Sequence, residues 1–495
     1  MVTQFDKALR WNTLSGLISL PMVAACNLAT VPIAIANLSL AEYGVWLVLV
    51  NAVSSIYLAD FGFTTALSRL IPQYKVAEDS QVNNLILTSL VIIGGSALAF
   101  TVLGFCLSED VFQFLKVRDV DQGQFEAILT ILLVEVFFQF HLRLGFASLK
   151  AQHLSYLSYQ SEIFVAGARL LGCLALVFFD IFTLLNFALM YSGVKIIIDL
   201  LVVINSKTLN AAWGGKFTSS VIFDLVDVGG AAFLSTLLQF AYFVMPLVVF
   251  SRLFGEDNVV ILSIPFAIYM LGLRLLNVLN IPYAPRAAEL VAAGCTESLS
   301  KHSQTFSGAT IFVGGLLCFA LLGVGDLLIT LWLYFADLDS NILVKISEMM
   351  GLFSVVLFVD AISKNTVFTA RATGHHWMAT LESLMSIGVF YFCVLILYEA
   401  IDHLAFGCAY LASGFLRVAY YFVVSKTESR LTFDPSPNYA LLIGFATVLL
   451  FAGPENIALK MVLAVLGVVF LSLQVRKHEA NSLILLKNLC SGGRV

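Results

Sequence analysis

Residues 42–74 read EYGVWLVLVNAVSSIYLADFGFTTALSRLIPQY. The run is predominantly apolar from Tyr43 to Leu67, long enough as a helix to cross a hydrocarbon core about 30 Å thick, which takes roughly 20 residues. One carboxylate, Asp60, interrupts it, and Arg69 ends it. An aspartate at the centre of a membrane helix costs about 2.5–3.5 kcal/mol on insertion scales, so such a residue faces a bundle interior or a watery cavity. The stretch predicts a polytopic membrane protein with a polar interior.

Composition agrees with that reading. Of 495 residues, 60% are hydrophobic and 12% charged, with a mean hydropathy of +0.93. Soluble domains carry about 25% charged residues, so a soluble globular protein is excluded. The net charge of −5 says little about partners, because in membranes the placement of Lys and Arg matters more than their sum. The eight cysteines are scattered, mostly in apolar runs, and form no CxxC pair. They read as small core residues, not as disulfides or metal ligands, and no metal site is expected.

Apolar windows extend the pattern to about 14 spans. They lie near 12–36, 43–68, 83–107, 125–149, 155–179, 181–205, 221–250, 258–283, 305–334, 346–370, 377–398, 403–425, 438–453 and 457–475. With the N-terminus inside, sixteen of the 27 Lys and Arg residues fall in cytoplasmic segments, five outside and six within spans. This asymmetry puts both termini in the cytoplasm. The longest external link, about 108–124, is too short for a soluble domain. The segment 206–220, with Lys207, Gly214, Gly215 and Lys216, reads as a cytoplasmic linker between an N-terminal six-helix lobe, 1–205, and a C-terminal six-helix lobe, 221–430. Residues 431–495 then supply two further helices and a cytoplasmic tail. Six spans before the linker allow the lobes to be parallel repeats about an axis along the membrane normal.

Charges inside spans are the candidates for function. The basic ones are Arg143, Arg169, Lys195, Arg274, Lys364 and Arg417. A phosphorylated headgroup needs such partners: Arg offers bidentate donors and Lys a compact charge. Against this stands internal neutralisation by the same-helix spacings of Lys195 with Asp199, Asp360 with Lys364, and the ladder Glu135, Gln139, Arg143. Glu135, Glu162 and Asp360 are candidates for ion coupling. Asp60 reads either as a cavity or proton site or as a local cap of the turn at Phe61-Gly62, where a helix distortion is expected.

The residues also resemble a known family. Tyr43-Gly44-x-Trp46, then Leu58-Ala59-Asp60-Phe61-Gly62-Phe63 with Ala66 and Arg69, is similar to the YGxW…LLDLGL…A..R signature of bacterial polysaccharide flippases. These are the Wzx-like transporters of the multidrug, oligosaccharidyl-lipid and polysaccharide (MOP) superfamily. Tyr269, Arg274 and Pro285-Arg286-x-x-Glu289 resemble that family's second-half run, while Ala59 stands where the family often has Leu. The resemblance implies an all-α fold of two six-helix bundles plus two C-terminal helices. It implies transfer of an undecaprenyl-diphosphate-linked oligosaccharide from the inner to the outer leaflet of the bacterial inner membrane, by alternating access around a cationic cavity. O-antigen and lipopolysaccharide assembly would be its setting, with membrane lipids and other polysaccharide-assembly membrane proteins as partners and no nucleic acid. No cofactor is implied beyond a coupling ion, H+ or Na+.

An enzyme is disfavoured. No large external loop is present, and Gly214-Gly215-Lys216 lacks the upstream Gly and the following Ser or Thr of a phosphate-binding loop. The alternatives that share the architecture are a MATE-like ion-coupled exporter of small organic molecules and a lipid-II-type flippase.

Overall fold

In the computed structural model, described residues run from 2 to 427, apart from 65, 68–69, 72–73, 75–78, 116, 118–119, 153, 207–213, 281–282, 284–286, 288–289, 291–294, 335–337 and 373–374. Past 427 only 446, 464–469 and 471 are described. The regular elements among them are helical, as expected for a chain that must satisfy its backbone polar groups inside lipid. Among the described residues, eleven helices are long and apolar enough to cross a membrane. The protein is a multi-pass membrane protein. The expected spans 438–453 and 457–475 lie almost wholly outside the described residues, as do Arg69, Pro285, Arg286 and Glu289.

The chain forms two compact units, Met1–Val259 with Phe335–Asp337, and Val260–Tyr334 with Leu338–Val495. The first unit contains α1 (Val2–Asn37), α2 (Leu40–Ser54), α3 (Asp79–Cys106), α4 (Ser108–Leu115), α5 (Gln122–Ala151), α6 (Ser155–Phe178) and α7 (Leu184–Asn205). It also holds α8 (Ser219–Phe243) and α9 (Met245–Phe254), which divide the expected single span 221–250 at Val244, just before Pro246. A proline near the first position of a helix is tolerated because no intrahelical partner is needed there.

Residues 42–74 are not one helix. After α2 the backbone tightens into a 3₁₀ segment, Ser55–Asp60, and then turns left-handed at Phe61 (φ 49°) and Gly62 (φ 78°). Gly62 is required twice over: its φ suits glycine, and a Cβ there would overlap the carbonyl of Gly229 in α8. The Tyr-Gly-x-Trp motif has a packing origin. A Cβ on Gly44 would overlap the carbonyl of Glu256. Buried Trp46 meets Phe187 and Tyr191 of α7 edge-on, with ring centres 5.0 and 5.2 Å away.

The link before α8 is anchored on α3. Lys216 N donates to Asn84 Oδ1 (2.6 Å) and Thr218 N to Thr88 Oγ1 (3.1 Å). The Tyr74 hydroxyl donates to Asp224 of α8. Burial and this bond push the Tyr74 phenol up to about 12, so it donates as the neutral group at any physiological pH.

The second unit contains α10 (Val259–Asn280, entering from its second residue), α11 (Thr296–Trp332), α12 (Ser340–Ala372), α13 (His376–Ile401) and α14 (Leu404–Thr427). Its apolar core includes Cys318 and Phe319 of α11 and Phe358 and Val359 of α12, joined by Ala446, Ala464 and Leu471 from the end of the chain. A second knot is aromatic: Phe266, Tyr269, Phe353, Phe390 and Tyr410 pack with ring centres as close as 4.6 Å. The seven described cysteines are free thiols.

Candidate functional site

Polar residues meet inside each unit. In the first, helical spacing puts Glu135, Gln139 and Arg143 on one face of α5, and Tyr191, Lys195 and Asp199 on one face of α7. Asp199, 3% exposed, is the hub. It accepts from Lys195 Nζ (2.8 Å), Gln139 Nε2 (2.9 Å) and the Ser161 hydroxyl of α6. Three donors on one buried carboxylate are what its charged form needs to persist away from water.

Arg169 of α6 lies beside this hub. Its guanidinium carbon stands 3.3 Å from the ring centre of Tyr191, its Nε donates to the Tyr191 carbonyl (2.9 Å), and its Nη2 is 4.0 Å from Glu135 Oε1. Arg143 stacks in the same way on Tyr57, 3.6 Å from the ring centre, and forms no hydrogen bond or ion pair among the described residues. A cation over a desolvated ring gains about 2 kcal/mol while its N–H edges stay available. Among the described residues, the carboxylates that meet Arg143, Arg169 and Lys195 here are Glu135 and Asp199, so these five groups carry one positive charge in excess.

In the second unit the balance is reversed. Arg417 of α14 donates from Nε to Glu382 Oε1 of α13 (2.6 Å) and from Nη1 to Asp360 Oδ1 of α12. Asp360 also accepts from the Tyr269 hydroxyl of α10 (2.5 Å), and Glu382 from Ser386 (2.9 Å). One guanidinium between two buried carboxylates ties α12, α13 and α14 together, and the Tyr269 hydroxyl adds α10.

These contacts correct the expected same-helix pairings and show where the other candidates lie. The same-helix ladder Glu135, Gln139, Arg143 does not form: Glu135 turns to Arg169, Gln139 to Asp199 and Arg143 to Tyr57. Asp360 spends both oxygens on Arg417 and Tyr269, and half-buried Lys364 has its own interactions. Glu162 is exposed on α6 and engaged elsewhere. Arg274 is exposed on α10 and makes no hydrogen bond or ion pair among the described residues. Of the expected spacings, Lys195–Asp199 is the one realised as a same-helix pair among the described residues.

Asp60, 6% exposed, accepts from the Thr64 hydroxyl across the left-handed turn. Sequence reasoning missed Glu382, although a carboxylate inside an apolar run is the same signal that singled out Arg417. Among the described residues no three or more His, Cys, Asp and Glu side chains are placed to hold a metal.

Spanning helices in two units, each with a charged interior, define a class of polytopic membrane proteins, and solved structures show which fold within it. An inward-facing multidrug resistance MATE family transporter of the MOP superfamily matches with a TM-score of 0.73 and 12% identity, over 86% of this chain and 100% of that one. The lipid II flippase MurJ in an inward closed conformation matches with a TM-score of 0.69 and 11% identity, over 96% of this chain and 99% of that one. The Vibrio cholerae MATE transporter VcmN matches with a TM-score of 0.61 and 14% identity, over 87% of this chain and 99% of that one. The chain thus has the fold of MOP superfamily transporters. No protein-family profile and no curated protein sequence matches it.

Proposed function

We propose that this protein is a non-enzymatic flippase, carrying a polyprenyl-diphosphate-linked oligosaccharide from the inner to the outer leaflet of a bacterial inner membrane by alternating access. The observation that carries this reading is the cluster of Arg143, Arg169 and Lys195 with Glu135 and Asp199 in spanning helices of the first unit, in which Arg143 is stacked on Tyr57 and makes no hydrogen bond or ion pair among the described residues. A diphosphate is a compact polyanion, and guanidinium groups answer it with paired N–H donors. Removed from bulk water, that attraction is screened far less than at a surface. The prenyl tail can stay in lipid while the head is held.

In this account Arg143 and Arg169 of the first unit contact the headgroup, and Arg274, exposed on α10, is the second unit's own candidate. Lys195, Lys364 and Arg417, already engaged by protein groups, act one step back by holding the helices that present them. Asp60, Glu135 and Asp360 serve structure and charge balance. Other polysaccharide-assembly membrane proteins are the expected partners, and both termini are expected in the cytoplasm.

The likeness to a lipid II flippase over 96% of the chain, against 86% for the first MATE transporter, supports a lipid-linked substrate. The higher TM-score of that MATE transporter favours a second reading, an ion-coupled exporter of small organic molecules. Gene deletion separates them. On the flippase reading, surface polysaccharide is lost and lipid-linked repeat units accumulate inside, both restored by the wild-type gene. Intact polysaccharide with increased sensitivity to organic cations would instead establish the exporter.

A further inference from the structure

The two rings that carry arginines in the first unit differ in where their phenols lie. Tyr191, under Arg169, packs on Trp46 and Phe187, and its phenol neighbours that of buried Tyr43. Tyr57, under Arg143, is partly exposed, and its hydroxyl makes no hydrogen bond among the described residues. The charged groups around that hydroxyl are Arg143, Glu135, Arg169 and Asp199. A phenol drawn away from bulk water calls for a partner. The hydrogen bonds of Gln139, Arg169 and Lys195 are already made without it.

Backbone geometry puts the ring there. Tyr57 is the third residue of the 3₁₀ segment Ser55–Asp60. Such a segment winds three residues per turn instead of 3.6, about 20° more per residue. Tyr57 is therefore swung off the face that a continued α2 would give it. Phe140 of α5, three residues before Arg143, packs against the ring with centres 5.8 Å apart.

We propose that Tyr57 is a further substrate-binding residue: its ring sets the plane of Arg143, and its hydroxyl donates to a phosphate of the lipid-linked headgroup. The guanidinium carbon stands 3.6 Å from the ring centre, and the hydroxyl lies at the rim of the same ring. A phosphate group can bridge the two with hydrogen bonds of ordinary length. The neutral O–H adds a directed bond without adding charge. It also accepts, so it can take a bond from a sugar hydroxyl, which no guanidinium can. This step rests on the flippase reading and assigns a contact within it.

Binding of farnesyl diphosphate to the purified full-length protein in detergent tests this, with farnesol as the control for the tail alone. Wild type should bind the diphosphate more tightly than the alcohol. Tyr57→Phe keeps the ring and removes only the hydroxyl. It should weaken diphosphate binding about tenfold, the lower end for a hydrogen bond to a charged group. Farnesol binding and the unfolding midpoint should stay unchanged. Tyr57→Leu, which removes the platform as well, should lose more, and should add little to Arg143→Gln in the double variant. Diphosphate binding by Tyr57→Phe at wild-type strength would overturn the proposal, as would an equal loss of farnesol binding. Either result leaves the flippase reading standing. A wild-type protein with no preference for the diphosphate over farnesol would bring down both.

Discussion

Arg417 and Glu382, thirty-five positions apart on α14 and α13, are joined by an N–H···O bond of 2.6 Å, and the same guanidinium reaches Asp360 on α12. Removing one partner of a buried pair strands the other charge, at a typical cost of 3–5 kcal/mol. Arg417→Met, which leaves Asp360 and Glu382 both buried without their cation, should therefore lower unfolding stability by about 3 kcal/mol or more. The triple change Arg417→Met, Asp360→Leu, Glu382→Leu should recover most of it. Thermal or denaturant unfolding in detergent reads both, and an unchanged Arg417→Met variant would show that the cluster contributes nothing to stability.

Arg143 behaves differently, because its guanidinium rests on a ring and not on a carboxylate. Arg143→Gln should leave folding intact and reduce transport about tenfold or more, the loss expected for a hydrogen bond to a charged group worth roughly 1.5–3 kcal/mol. Complementation scored against membrane abundance measures this. Full rescue at normal abundance would remove Arg143 from the headgroup site.

The turn after the 3₁₀ segment should be intolerant of a side chain. Gly62→Ala forces a methyl group against the Gly229 carbonyl at a left-handed position, and overpacking of this kind costs about 1–3 kcal/mol. Gly95→Ala, with no atom within 4 Å of the added carbon, is the control. It should match or exceed wild type, since alanine favours a helix over glycine by about 0.5–1 kcal/mol.

Orientation can be read by labelling. In a cysteine-free background, Lys345→Cys should react with a membrane-impermeant maleimide in intact cells, and Lys301→Cys only after permeabilisation. The opposite pattern would invert the topology.

Much of the fold was legible because the bilayer imposes it. Long apolar runs and the distortion expected at Phe61-Gly62 both follow from local chemistry. The partners of the charged residues were not legible in the same way. Same-helix spacing gave Lys195 its Asp199, but Arg169 found Glu135 on another helix, and Arg417 found carboxylates 35 and 57 positions away. In a bundle, a buried charge chooses among neighbours set by helix packing, which the spacing along one helix does not encode. The break at Val244 falls two residues before Pro246, a residue whose ring makes a bend in a span expected.

The most direct test of the account places purified protein in liposomes containing a fluorescent, short-chain polyprenyl-diphosphate oligosaccharide. The fraction of inner-leaflet label that becomes reachable by an external reagent is then followed in time. The account predicts transfer to the outer leaflet that depends on the protein, is slowed about tenfold by Arg143→Gln, and is blocked by excess unlabelled lipid-linked oligosaccharide. Label that stays on its original side, as in protein-free vesicles, while a small organic cation is moved by the same preparation, would contradict it.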